Sequence, residues 1–113
     1  MYHGSSTGLS AIANWTAECN QADAIFGYPV STAGDVNGDG YSDVIVSAEN
    51  YDNDLQNEGR IYVYHGSSSG LSVNANWVVE GNQSEAQFGN SVSTAGDVNG
   101  DGYSDIIIGA LTF

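Results

Sequence analysis

Two nine-residue segments, 35–43 and 97–105, share the sequence DVNGDGYSD and carry oxygen-bearing side chains at alternating positions. Ca²⁺ prefers about six to eight hard oxygen ligands, which alternate residues of a tight loop can direct towards one centre. Each segment supplies four such side chains and, at its seventh position, a suitably placed backbone carbonyl. The candidate ligands are Asp35, Asn37, Asp39, Tyr41 and Asp43, then Asp97, Asn99, Asp101, Tyr103 and Asp105. We therefore predict about two calcium ions per chain, with water completing each shell.

The spacing within these segments separates them from helical calcium-binding loops. An EF-hand loop needs a bidentate Glu at its twelfth position, and the residues found there are Val46 and Ile108. The same absence argues against a dockerin. Gly38 and Gly40 permit the positive φ angles that a tight wrap requires. The alternative is a pair of metal-free Asn-Gly and Asp-Gly hairpin turns, which leaves the alternating oxygen ligands in both copies unexplained.

Both segments belong to an internal repeat with a spacing of 62 residues. Residues 2–51 align with residues 64–113 without a gap, and 33 of the 50 aligned positions are identical. This period is too long for ankyrin, tetratricopeptide or leucine-rich repeats and lies near the upper end for propeller blades of about four strands. The repeat therefore favours a β-propeller architecture.

The elements that must position the two segments are predicted to be strands. The apolar residues are mostly Val, Ile, Tyr and Trp, and no stretch has the apolar spacing of a helix. The uninterrupted run Val44, Ile45 and Val46 is typical of a strand that is buried on both faces. Four short strands are predicted for the first repeat, at residues 15–18, 30–33, 42–48 and 60–65. In the last of them, Ile61 and Val63 alternate with Tyr62 and Tyr64.

The predicted fold is all-β, with about two four-stranded antiparallel propeller blades. Residues 1–63 form the first repeat, and residues 64–113 form a second repeat that lacks the last strand, so the propeller is partial or permuted. Two blades cannot close a ring of about four to eight. We therefore expect further blades, either from a longer chain, which we favour, or from homo-oligomerisation. The loop at residues 49–59 is polar and is expected at the surface.

The charge balance limits the partners of the chain. The 113 residues include 14 Asp or Glu but a single Lys or Arg, Arg60, which gives a formal net charge of −13. Nucleic acids and anionic membranes are therefore disfavoured as partners. We expect no membrane insertion, because no apolar segment approaches ~20 residues, and the N-terminus shows no signal-peptide pattern. Cys19 is the single cysteine, which excludes an intrachain disulfide and favours a space-filling role.

A Phe-Gly pair precedes each acidic segment, at Phe26-Gly27 and Phe88-Gly89, and the sequence VSTAGD follows shortly after it. Together with the apolar strand and the later segment GRIYVY, this pattern resembles the FG-GAP repeats of the integrin α-subunit propeller. The resemblance covers nearly the whole chain. It implies a propeller on a secreted or cell-surface protein, with Ca²⁺ ions that brace the blades from hairpin loops. It also implies that the ten candidate ligands given above bind the metal.

These features lead to one preferred function and one alternative. We expect an extracellular module for adhesion or protein interaction in which Ca²⁺ is structural and the protein ligand is unidentified. The alternative is a propeller lectin that binds glycans between blades. Its candidate stacking residues are Trp15, Trp77, Tyr62 and Tyr64, although such aromatics more often belong to a core. An enzyme is not expected, because His3 and His65 lie beside Gly and Ser without a nucleophile and an orienting acid.

Overall fold

The computed structural model describes residues 1–111, which form eight β-strands in three antiparallel sheets. The strands are β1 (Gly4–Ser5), β2 (Gly8–Leu9), β3 (Phe26–Gly34), β4 (Asp43–Ala48), β5 (Arg60–Tyr64), β6 (Trp77–Glu80), β7 (Phe88–Gly96) and β8 (Asp105–Ala110). Strands β1 and β2 form a small hairpin, β3 to β6 form sheet 1 in chain order, and β7 and β8 form sheet 2. The predicted all-β antiparallel class is confirmed. These strands do not close a ring within the described part of the chain.

The same hairpin occurs twice, 62 residues apart. Val30 pairs with Val46 in β3 and β4, and Val92 pairs with Ile108 in β7 and β8. In each hairpin the register shifts at the end of the first strand, between Thr32 and Gly34 and at the equivalent positions of sheet 2. The DVNGDGYSD segments close these two hairpins, so the repeated sequence produces two loops of the same construction.

Sheet 1 is buried on both faces, because sheet 2 packs against one face and the segment before β3 packs against the other. Ile45, Ile61 and Val63 are at most 3% exposed on one face and pack with residues of sheet 2, including Phe88 and Ile108. Their neighbours in the chain point to the other face, where Val46, Tyr62 and Tyr64 form a second cluster with the segment before β3. The expected double burial of β4 and the alternation along β5 are confirmed.

Sheet 1 draws its strands from both sequence repeats. Its fourth strand, β6, lies in the second repeat, where Trp77 pairs with Val63 and Glu80 with Arg60. Strand β5 extends across residues 63 and 64, where the two sequence repeats meet. The structural sheet is therefore permuted relative to the sequence repeat.

The strand predicted at residues 15–18 is wrong, because no strand forms there. The equivalent residues 77–80 form β6 by pairing with β5. By the 62-residue spacing, the corresponding partner of residues 15–18 includes only Met1 and Tyr2 of this chain. Two bonds remain at Met1, whose carbonyl accepts the Asn14 N–H at 2.9 Å and whose amino group donates to the Trp15 carbonyl at 2.7 Å. The first of them matches the bond from the Asn76 N–H to the Val63 carbonyl at 2.8 Å. The β propensity of the segment cannot replace the missing partner strand.

Among the described residues, no helix is both long and apolar enough to span a bilayer.

Candidate metal centre

The two DVNGDGYSD segments are named loop 1 (residues 35–43) and loop 2 (residues 97–105). Loop 1 begins directly after β3, and its last residue, Asp43, is the first residue of β4. Loop 2 has the same position between β7 and β8. Gly38 and Gly40 have φ angles of +74° and +89°, and the corresponding glycines of loop 2 have +72° and +90°. The expected left-handed turns are therefore present in both loops.

Asp35 organises the interior of loop 1. Its Oδ1 accepts the backbone N–H groups of Gly38 at 2.8 Å and Asp39 at 3.0 Å, and its Oδ2 accepts that of Gly40 at 2.8 Å. The pKa of Asp35 is held below its ordinary value, chiefly by the bond from Gly40. Asp97 has a lowered pKa for the same reason, with Gly102 as the main donor. Each loop thus turns its central backbone amides towards an ionised carboxylate.

Asn37 and Asp39 lie against each other near the same turn. The N–H of Asp39 is within 3.3 Å of Asn37 Oδ1, so the oxygens of Asp35 and Asn37 both face this amide. Asn37 Nδ2 donates to Asp39 Oδ2 at 3.2 Å, and Asp39 Oδ1 accepts the N–H of Tyr41 at 3.0 Å. The predicted ligands at the first, third and fifth positions therefore lie together in loop 1.

Asp43 has a structural role that the sequence did not reveal. Its side chain is fully buried, its Oδ2 accepts the N–H of Val36 at 2.7 Å, and its Oδ1 accepts the N–H of Gly66 at 2.8 Å. The carboxylate therefore ties the start of loop 1 to the turn that follows β5. A Cβ atom added at Gly66 would lie 2.3 Å from the carbonyl oxygen of Ser42, so only glycine fits at this close approach.

Loop 2 repeats most of these bonds in a more exposed setting. Asp97 accepts the N–H groups of Asp101 at 3.0 Å and Gly102 at 2.8 Å, and Asp101 accepts that of Tyr103 at 3.0 Å. Asp105 accepts the N–H of Val98 at 2.8 Å, as Asp43 does that of Val36. Asp105 is half-buried, whereas Asp43 is fully buried.

The donor set of each loop fits a calcium ion in its chemistry, with three carboxylates, one amide oxygen and a backbone carbonyl. A carboxylate has about four lone-pair sites, so the oxygens that accept backbone N–H groups retain acceptor capacity for a cation. The candidate ligand side chains of each loop do not all converge on one point. Among residues 1–111, no group of three or more His, Cys, Asp and Glu side chains is placed so that it could hold a metal ion. In loop 1 the third carboxylate, that of Asp43, accepts hydrogen bonds from two backbone N–H groups.

The other predicted site residues have structural surroundings. Trp15 packs edge-on against Tyr64, with ring centroids 4.8 Å apart, and its indole N–H donates to the Ser72 carbonyl. Tyr62 and Tyr64 are buried, whereas Trp77 is 45% exposed. Cys19 is a free thiol that packs at the edge of the core.

Arg60, the single basic side chain, joins two neighbouring strands. Its guanidinium lies 4.0 Å from the centre of the Tyr51 ring, donates to the Tyr51 hydroxyl, and forms an ion pair with Glu80, which it faces across β5 and β6. His65 lies beside loop 1, with its Nδ1 3.2 Å from Asn37 Nδ2. Arg60 therefore has a structural role in sheet 1, and His65 packs beside loop 1.

Comparison with known proteins identifies a sequence repeat at the same positions as the two hairpins. The FG-GAP repeat family model matches residues 26–64 and 88–113, which is more than half of the chain. The chain is 38% identical to integrin alpha-7 of Mus musculus over 94 residues, which cover 82% of this chain and 8% of that protein. It is 37% identical to integrin alpha-8 of Mus musculus over 109 residues, covering 92% of this chain and 10% of the relative. It is 36% identical to integrin alpha-4 of Xenopus laevis over 112 residues, covering 94% and 11%.

The chain therefore spans about a tenth of the length of these relatives. The matched residues include β3, β4 and β5 in the first copy and both strands of sheet 2 in the second. Both loops fall inside the matched ranges. With the repeated hairpin, its acidic loop and the Phe-Gly pair all in place, this chain belongs to the FG-GAP repeat family, a non-enzymatic family whose repeats form propeller blades.

Proposed function

We propose that this chain is an extracellular propeller module for adhesion or protein interaction whose two calcium ions stabilise its hairpins. The observation that carries the proposal is the identical loop at two hairpins, each folded around an ionised aspartate with further oxygen ligands beside it. Integrin alpha FG-GAP repeats often bind Ca²⁺, and this chain has the same kind of repeat. The formal charge of −13 further favours cation uptake.

The proposed ligands of the first ion are Asp35, Asn37, Asp39, Asp43 and the carbonyl of Tyr41, and those of the second are Asp97, Asn99, Asp101, Asp105 and the carbonyl of Tyr103. The ion would supply positive charge at the centre of each loop. Residues 38–40 and Gly102 would keep the carboxylates ionised and oriented through their N–H groups. The carboxylates of Asp43 and Asp105 would connect the ion to β4 and β8.

Calorimetric Ca²⁺ titration tests this assignment. We expect about two ions per chain for the native sequence, one for either Asp39→Ala or Asp101→Ala, and none for the double variant. Both aspartates are exposed, so these substitutions leave the buried sheet faces intact. An absence of binding heat in the native chain would contradict the proposal. Unchanged stoichiometry in both single variants would contradict the choice of ligands.

We also propose that the two sequence repeats, residues 1–63 and 64–113, contribute to successive blades of a propeller that needs further blades. Ile107 is 62% exposed on sheet 2, whereas its counterpart Ile45 is fully buried between the sheets. This contrast supports a further blade against sheet 2, from a longer chain or from another copy. Size-exclusion chromatography with light scattering tests this, because a stable, soluble two-repeat monomer would contradict it.

An extracellular location is part of the same proposal. Extracellular calcium modules bind with dissociation constants on the order of 10⁻⁴ to 10⁻³ M, which suits exposed loops such as these. The integrin alpha relatives support this location. Secretion of an epitope-tagged parent protein, followed by labelling of intact cells, tests it, and exclusively internal protein would contradict it.

A glycan ligand is the second candidate, favoured by one groove. This groove, of about 530 Å³, lies beside loop 1 and is lined by the half-exposed Trp77 together with Asn37, Asn76 and His65. An exposed indole with amide groups around it is suited to stacking on a sugar ring. Trp15, Tyr62 and Tyr64 cannot serve in this way, because they are packed in the core. A glycan array tests this candidate, and binding to no glycan would eliminate it.

A further inference from the structure

Ser104 of loop 2 is hydrogen-bonded to the first residue of loop 1. The Ser104 N–H donates to the carbonyl oxygen of Asp35 at 2.9 Å, and its Oγ accepts the N–H of Asp35 at 3.2 Å. Both backbone groups of Asp35, the first proposed ligand of loop 1, are therefore bonded to loop 2. Ser104 itself lies between two proposed ligands of the second ion, Tyr103 and Asp105. One residue thus connects the two ligand sets.

Side-chain packing strengthens this contact. A Cβ atom added at Gly38 would lie 2.6 Å from the Tyr103 ring, and one added at Gly34 would lie 2.7 Å from Ser104 Oγ. The corresponding positions on loop 2, Gly100 and Gly96, have nothing within 4 Å of such an atom. Only glycines therefore allow the two loops to approach so closely, and only loop 1 is covered within the described residues.

Exposure differs between the loops in agreement with this packing. Val36 of loop 1 is half-buried in the cluster between the sheets, whereas its counterpart Val98 is 71% exposed. Likewise, Asp35 is half-buried and Asp97 is exposed. The start of loop 1 is thus less exposed than that of loop 2, and the position of the Asp35 backbone depends on the conformation of loop 2.

We propose that the two calcium sites are coupled through Ser104 and Tyr103, so that an ion in loop 2 increases the calcium affinity of loop 1. This inference rests on the proposed calcium function. An ion in loop 2 fixes the segment that contains Tyr103, Ser104 and Asp105, and this segment positions Asp35. Loop 1 then loses less conformational freedom when it binds its own ion. Linkage requires the same factor in the reverse direction.

The coupling is tested by calorimetry, which measures the calcium affinity of loop 1 with and without a functional loop 2. Asp101→Ala disables loop 2, and we expect it to weaken calcium binding at loop 1 by about fivefold or more. The Tyr103→Ala, Ser104→Ala background removes both side-chain contacts but keeps the backbone bond from the Ser104 N–H to Asp35. In that background, the same Asp101→Ala change should weaken loop 1 by a smaller factor than in the native chain, and an equal factor would contradict a role for these side chains. Ser93→Ala with Val98→Ala is the control, and it should preserve the coupling because both side chains are exposed and neither residue is a proposed ligand.

A second measurement remains informative if the double-alanine background folds poorly. In the Asp39→Ala variant, where loop 1 cannot bind, calcium should still shift the backbone amide signals of Asp35 and Val36 through loop 2. Amide shifts confined to loop 2, or a loop 1 affinity that ignores Asp101→Ala, would overturn the coupling while leaving two calcium sites in place. A native chain that takes up no calcium would overturn the proposed function as well.

Discussion

The hydroxyl of Ser47 donates a 2.6 Å hydrogen bond to the carbonyl oxygen of Gly89, and this buried contact joins sheet 1 to sheet 2. Gly89 is the glycine of the second Phe-Gly pair. A Cβ atom added to it would lie 2.4 Å from the end of the Ile61 side chain and 2.5 Å from Ser47 Oγ. The Phe-Gly pair of this family therefore brings β7 directly against sheet 1. Its counterpart Gly27 has nothing within 4 Å of an added Cβ.

This difference predicts unequal effects for two equivalent substitutions. Gly89→Ala should lower the free energy of unfolding by about 1–3 kcal/mol more than Gly27→Ala, because Ile61 and Ser47 must move within a packed interface. Backbone strain is matched, since the two glycines have φ angles of +93° and +91°. Urea unfolding monitored by circular dichroism provides the comparison. Equal losses of stability would show that the sheets are not packed as described.

A second matched pair measures the contribution of burial between the sheets. Ile45→Ala should cost about 2–5 kcal/mol, because Ile45 is fully buried and its loss leaves a cavity. The same change at its counterpart Ile107, which is 62% exposed, should cost about 0.5 kcal/mol or less wherever no further blade covers sheet 2. Thermal unfolding of the two variants measures the difference. A large loss at Ile107 would indicate that sheet 2 is already covered by another copy in solution.

Alkaline pH should destabilise the fold through Tyr62. Burial raises the pKa of its phenol to about 12, whereas the unfolded chain has a value of about 10. Below pH ~10 the phenol is protonated in both states, so stability is retained. Between these two values the unfolded chain releases the proton first, and stability therefore falls as the pH rises.

Ultraviolet titration of tyrosinate checks this prediction. Tyr62→Phe should remove a phenol that ionises late in the titration. Tyr62→Phe should also reduce the slope of stability against pH above about 10. If Tyr62→Phe leaves the late-ionising part of the tyrosinate titration unchanged, Tyr62 is not held in a buried environment.

The parts of the fold that depend on local pattern were predictable from the sequence. The apolar run of β4 and the alternation along β5 indicate which faces are buried, because each side chain has a fixed direction in a strand. The glycines of the two loops predict left-handed turns because few other residues adopt them. The position of both acidic loops between hairpin strands followed from the same pattern.

Features that depend on distant partners were not predictable. Residues 15–18 have the composition of a strand, but a strand also needs a neighbour to pair with. Glu58 lies in a loop expected at the surface, yet it is only 1% exposed, with its Oε2 accepting the Asn82 N–H. The contact of Ser104 with Asp35 spans 69 positions and joins the two repeats. No periodicity within a single repeat could reveal such a contact.

The central claim is that calcium ions stabilise the two hairpins. Its most direct test is thermal unfolding of the native chain, measured once in saturating calcium and once in excess chelator. Each site occupied at about 100 times its dissociation constant should add about 2.7 kcal/mol. We therefore predict that calcium raises Tm by at least about 5 °C. The response should be absent from the Asp39→Ala, Asp101→Ala double variant. A Tm that is the same with calcium and with chelator would contradict this account.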